Sequence, residues 1–246
     1  MTTFEQHIRE IEIHGFTLVE GVLGPGEVEA MKKALIRCER EVGTDHTHRG
    51  RARHVANLPT LDPVFFTCID HPKVLPLLEH FLEDTLILGS LNSRIVCPGD
   101  PDQELHSDIP PAMLNMASPV MMNTVWMLDY FSSVNGGTRV VPGTHRSGLA
   151  VPPEGFEVAH VVQPQAKAGG VIVFNGQTWH GGGGNSGNSN RHGLFGHYRK
   201  QMLLFQCDPH DDFPAAFYAK LTPRQKELLR MEKGLGADHA ADVHLR

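Results

Sequence analysis

The chain is expected to be mainly β with flanking helices, a double-sheet jelly roll, and three observations support this. Helical periodicity is confined to residues 3–12, 27–42, 72–81 and 221–231. Between them, from about residue 85, short apolar and β-branched runs are cut by Gly, Pro and Asn at close intervals. No internal repeat and no long linker divides the chain. The 246 residues therefore read as one domain, 1–246. It has a helical N-terminal part about 1–84, a jelly-roll core about 85–206 and a C-terminal helical tail about 207–246.

Each element has a local reason. After the first helix, Gly15-Phe16-Thr17-Leu18-Val19 leaves as a strand, and Leu23-Gly24-Pro25-Gly26 breaks the pattern. Val28, Met31, Leu35 and Cys38 then recur at helical spacing on one face of residues 27–42. Residues 44–57 lack apolar periodicity and are dense in His and Arg (His46, His48, Arg49, Arg51, Arg53, His54). They are expected to form a mobile loop, either simply solvated or acting as a lid that meets a polar or anionic substrate. Pro72 suits the first turn of the helix over 72–81. Strands are expected at 85–88 and 94–96, around His106 and Asp108, and at 121–131, 158–162, 170–174 and 194–205. Thr222 as N-cap with Pro223 behind it opens the last helix, and the end beyond Gly234 is expected to fray.

Composition excludes several functional classes. The hydrophobic and charged fractions, 40% and 20%, are those of a soluble globular protein. A net charge of −6 disfavours nucleic acid or an anionic membrane as partner. Cys38, Cys68, Cys97 and Cys207 lack CxxC spacing and read as reduced thiols of an intracellular protein. The first residues resemble no signal peptide, and no apolar run is long enough for a bilayer. The expectation is a soluble, cytoplasmic protein with a small-molecule substrate; oligomeric state is left open.

The chemistry centres on Gln103-Glu104-Leu105-His106-Ser107-Asp108, taken together with Trp179-His180 and Arg191. Residues i and i+2 of a strand share a face, so His106 and Asp108 can reach one metal, with His180 supplied by a second strand. Two imidazoles and one carboxylate suit Fe(II) and leave open positions on the metal. Alone, a His-x-Asp pattern is more readily an ordinary polar strand face.

The order of motifs adds a resemblance. His106-Ser107-Asp108, Asn135-Gly136-Gly137-Thr138, Val141-Pro142-Gly143-Thr144-His145, Phe174-Asn175-Gly176-Gln177-Thr178-Trp179-His180 and Arg191 resemble the phytanoyl-CoA dioxygenase family over roughly residues 10–205. The resemblance implies a cupin-like double-stranded β-helix and an Fe(II)- and 2-oxoglutarate-dependent dioxygenase. Such an enzyme would consume O2 and release succinate and CO2. It further implies that His106, Asp108 and His180 are metal ligands and catalytic. Arg191, eleven residues after His180, would pair with the distal carboxylate of 2-oxoglutarate, and Gln103 and Thr138 would also contact it. Gly182 stands where other members supply a hydroxyl. Asp108 sets the chain apart from the halogenase branch.

Hydroxylation of a small organic molecule, of the secondary-metabolite kind, is the leading expectation. Desaturation, epimerisation and cyclisation use the same chemistry. A cupin-like metal enzyme without a keto acid and a non-catalytic jelly-roll binding module are the readings from other classes. The remaining residues take structural readings: His145 pins a Pro-Gly turn, His192 and His197 are structural or on the surface, and Trp126 and Trp179 lie in core or pocket wall. Asn123 and Met121 are left without a role, and Gly181 to Gly184 are expected to supply flexibility.

Overall fold

A computed structural model describes residues 2–45, 53–114, 116–210 and 212–235. The opening helix α1 (Phe4–His14) is capped by Thr3, whose hydroxyl accepts the Gln6 N–H, and is closed by Gly15 at φ 86°. Strand β1 (Phe16–Val19) leads to α2 (Pro25–Val42), which buries Val28, Met31, Leu35 and Cys38 as the periodicity requires. The order continues β2 (Thr44–Asp45), β3 (Arg53–Val55), α3 (Leu75–Leu82), β4 (Leu86–Val96), β5 (Met121–Met127) and β6 (Thr138–Val140). It closes with β7 (Val171–Asn175), β8 (His180–Gly182), β9 (Arg191–Lys200), α4 (Ala215–Tyr218) and α5 (Pro223–Leu228).

The strands form a seven-stranded sheet in the order β1-β7-β5-β9-β4-β3-β2 and a two-stranded sheet β6-β8, with antiparallel pairing throughout. Alternation along the central strands separates two faces. Met122, Trp126, Val171, Val173, Leu194 and Tyr198 pack into the large core that includes Ile8 and Ile11 of α1, Met31 and Leu35 of α2, and Leu77 and Leu78 of α3. The flanking helices thus cover one face. The other face carries Val125, Met127, Ile172 and Phe174, packed with Phe131 and Ala166.

Several elements differ from expectation. Residues 86–88 and 94–96 belong to one eleven-residue strand, with Thr85 in the turn before it, and Gly89-Ser90 marks a register shift within it, not an end. The 158–162 run is not a strand; its one ladder contact is Val162 opposite Val140. The helix expected from Pro72 starts at Leu75, after a turn closed by the Val74 N–H on the His71 carbonyl. Strand β9 begins at Arg191 and stops at Lys200. The ends of the 44–57 segment are ordered as β2 and β3, and β3 pairs with β4. His46, His48, Arg49 and Arg51 lie outside the described residues, as does the end beyond residue 235. Among the described residues no helix is long and apolar enough to cross a membrane.

Candidate metal centre

His180 opens β8 of the small sheet, and its ring packs 4.6 Å from that of Phe174 on β7 of the large one. His106 is not on a named strand. It sits in a loop at an isolated bridge, with its N–H donated to the His180 carbonyl at 3.0 Å and the reciprocal bond at 2.8 Å. Asp108, two residues on, anchors its own N–H on the Gly176 carbonyl at 2.9 Å. The expected strand geometry for the pair is therefore incorrect, yet the convergence it was meant to explain holds. One ligand atom each from His106, Asp108 and His180 lies within 4.8 Å of the others. Nε2 of His106 is 3.6 Å from Asp108 Oδ1, and Nε2 of His180 is 3.3 Å from Oδ2.

Each ring has its other nitrogen engaged. His106 Nδ1 lies 2.9 Å from the Glu104 carbonyl, and His180 Nδ1 lies 3.0 Å from the Thr178 carbonyl. A carbonyl only accepts, so Nδ1 carries the proton and Nε2 keeps its lone pair toward the shared point. Burial works against ionisation of Asp108. The facing imidazoles of His180, His197 and His106 outweigh it and hold the carboxyl well below the usual carboxylate range. Asn123 Nδ2 donates to Asp108 Oδ2 at 2.8 Å. Two Nε2 lone pairs and an ionised carboxylate are the donor set that a divalent transition metal of borderline softness requires.

The triad lines a cavity of about 150 Å³ between the two sheets. Gln103 and Thr138 line it as well, and Thr138 stands opposite Gly182 in the β6-β8 pair. The Thr138 hydroxyl is buried with no hydrogen-bond partner among the described residues. Arg191 is placed differently. It is fully buried behind the wall, with Nε and Nη2 donating to the Gly136 carbonyl at 3.1 and 2.6 Å and its guanidinium 4.4 Å from the Phe131 ring centre. Burial, and secondarily the like charge of Arg94, lowers its pKa to about 9.

Other cavity residues escaped the sequence reading. Arg94, Asn123, His197 and His54 all line it. His197, read as structural or on the surface, is off the surface and beside the triad: its Nδ1 is 3.7 Å from Asp108 Oδ2, and burial first of all lowers its pKa. A signal did exist for Arg94, a basic residue between the apolar ends of the strand Leu86–Val96, where an unpaired charge would be costly. The structural readings of His145 and the tryptophans hold. His145 Nε2 lies 3.2 Å from the Glu12 carbonyl, Trp126 bonds Thr124, and Trp179 Nε1 donates to the Leu149 carbonyl. His192 is held by Asp129. Gly181 to Gly184 give close approach in place of flexibility: a Cβ at Gly181, Gly183 or Gly184 would meet a backbone oxygen at 2.7–2.9 Å.

Comparison with known proteins adds an independent result. A family model described as phytanoyl-CoA dioxygenase matches residues 11–193. The Fe(II)/2-oxoglutarate-dependent dioxygenase nvfF of Aspergillus novofumigatus is 30% identical, over 71% of this chain and 64% of its own. HygX from Streptomyces hygroscopicus, solved with nickel, 2-oxoglutarate and hygromycin B bound, superposes with a TM-score of 0.70 at 19% identity, covering 87% of this chain and 95% of that one. The epimerase SnoN from nogalamycin biosynthesis superposes with a TM-score of 0.66 at 21% identity, covering 80% and 82%. At these identities the two structures are likenesses of fold.

Proposed function

The chain belongs to the phytanoyl-CoA dioxygenase family, and from that premise we propose that His106, Asp108 and His180 hold Fe(II) for the 2-oxoglutarate- and O2-dependent hydroxylation of a small organic molecule. The observation that carries this reading is the convergence of the three ligand atoms on one cavity wall, with both Nδ1 positions occupied by carbonyls. The metal and the keto acid would supply the oxidising chemistry, with release of succinate and CO2.

The chain's own residues would set up that chemistry. Backbone carbonyls hold the two rings in the tautomer that offers Nε2. Asn123 fixes the Asp108 carboxylate from the β5 side. Gln103 and Thr138 would meet the co-substrate, and the unpartnered Thr138 hydroxyl suits a ligand oxygen. Arg191 contributes its positive charge from behind the wall. A double-stranded β-helix and a single oxygenase domain fit a large sheet facing a short one across the site.

A cavity of about 150 Å³ is smaller than the roughly 300–1,000 Å³ of drug-sized sites, so it seats a co-substrate and leaves the main substrate to its mouth. Away from Thr138 and Gly182 the wall carries His54, Asn92, Asn123, His197 and Gln206 beside Phe195. That lining favours a substrate rich in hydroxyl or amino groups over a long acyl chain. Epimerisation is the second reading, favoured by the fold shared with SnoN.

The test is an anaerobic titration. Fe(II) followed by 2-oxoglutarate should develop a visible charge-transfer band that is absent in His106→Ala, and no band in the parent protein would overturn the assignment. In air, succinate release should rise more with polyhydroxylated amines than with fatty acyl compounds. Product analysis then separates added oxygen from an inverted centre.

A further inference from the structure

Resting on that reading, we infer that Arg94 grips the distal carboxylate of 2-oxoglutarate in the space left by the missing side chain of Gly182, sharing the anion with Arg191. Register and distance point there. Arg94 on β4 lies opposite Gly193 on β9 and lines the cavity. The guanidinium donates to the Gln103 amide oxygen, which also accepts the Gly182 N–H at 3.0 Å. A Cβ on Gly182 would lie 3.2 Å from Arg94 Cζ and 3.3 Å from Nη1. A hydroxyl-bearing residue at 182 and the Arg94 head group therefore compete for one volume, and the guanidinium occupies it here.

The distance from the metal ligands is also suitable. His180 and Gly182 are i and i+2 on β8, sharing a face about 6.6 Å apart at ~3.3 Å per residue. A five-carbon diacid chelated at the triad extends over that span. Its far end would meet Arg94, Gln103 and the unpartnered Thr138 hydroxyl, all in the cavity wall.

Charge balance favours an anion at this end. Arg191 is fully buried, and its guanidinium donates to the backbone carbonyls of Gly136 and Arg94. Among the described residues no carboxylate lies within ion-pair distance of it. The second cation close by raises the cost of burying it, as its lowered pKa reflects. A carboxylate in contact with Arg94 offsets the charge of both guanidinium groups. Arg191 supplies field from behind the wall, and Arg94 supplies the contact.

The test compares two keto acids on the anaerobic Fe(II) protein: 2-oxoglutarate, and 2-oxopentanoate, which has the same chain length but no distal carboxylate. Arg94→Ala should weaken 2-oxoglutarate about 10–100-fold, the usual range for a hydrogen-bonded charge, and leave 2-oxopentanoate within about twofold of the parent. Arg94→Ala/Gly182→Ser should recover part of the loss, because the serine hydroxyl enters the vacated volume. Unchanged 2-oxoglutarate affinity in Arg94→Ala overturns the inference, and so does an equal loss for both acids with the Tm preserved. If the parent protein binds neither acid, the co-substrate reading itself fails.

Discussion

His106 and His180 stand directly opposite one another in a single antiparallel bridge, each donating its N–H to the other's carbonyl. Two candidate ligands remote in sequence are thereby held at fixed spacing by backbone, with ring centres 4.6 Å apart. Such a preformed site should stabilise the fold when loaded. Fe(II) at about 100 times its Kd should add about 2.7 kcal/mol, raising Tm by roughly 5–11 °C for a chain of this size. Calorimetry with metal and then with excess chelator checks this. His106→Ala and His180→Ala should show no metal-dependent shift, and a shift that survives in either places the metal elsewhere.

Asn123 orients the carboxylate. Its Nδ2 bond to Asp108 Oδ2 at 2.8 Å is the kind of outer contact whose loss costs about 10–100-fold in metal affinity. Asn123→Ala should show that loss in a metal titration while its far-UV circular dichroism matches the parent. Unaltered affinity would reduce the contact to packing.

Thr138 offers a separation of stability from binding. Its hydroxyl has no partner among the described residues, so Thr138→Val removes a buried polar group without breaking a bond. The Tm should stay level or rise slightly, and 2-oxoglutarate affinity should fall by roughly tenfold. A falling Tm with intact affinity would assign the hydroxyl a structural role.

Asp129 links α2 to β9 beside Arg191. It accepts the His192 backbone N–H at 2.8 Å and lies 2.7 Å from the His192 Nδ1, and it pairs with Lys32 of α2. Burial opposes its ionisation, but the His192 ring, Lys32 and the His192 N–H outweigh it and lower the carboxyl pKa to about 2. A depressed folded value means stabilisation that is full above the unfolded value, near 3.8, and is lost as pH falls from there through about 2. The contribution is about 2 kcal/mol at neutral pH. Asp129→Asn should lower Tm at pH 7 and narrow the gap to the parent as the medium is acidified below pH 4. A gap independent of pH would show that the tie acts without its charge.

The sequence by itself determined the helices that obey simple periodicity, α1 and α2, and singled out three residues whose donor atoms converge, because ordered motifs survive without coordinates. Along β5, Met122 and Trp126 face the helices while Asn123 and Val125 face the other side. The tertiary structure alone decided that His106 sits in a bridged loop, that Gly89 bends β4 without ending it, and that the glycines after His180 permit close backbone approach. It likewise brought Arg94, Asn123 and His197 to the cavity. Their proximity comes from the register of β4, β9 and β5, in which Ser90 and Asn123 flank His197 and Arg94 faces Gly193. Register is set by packing across the whole sheet, and no local run of residues carries it.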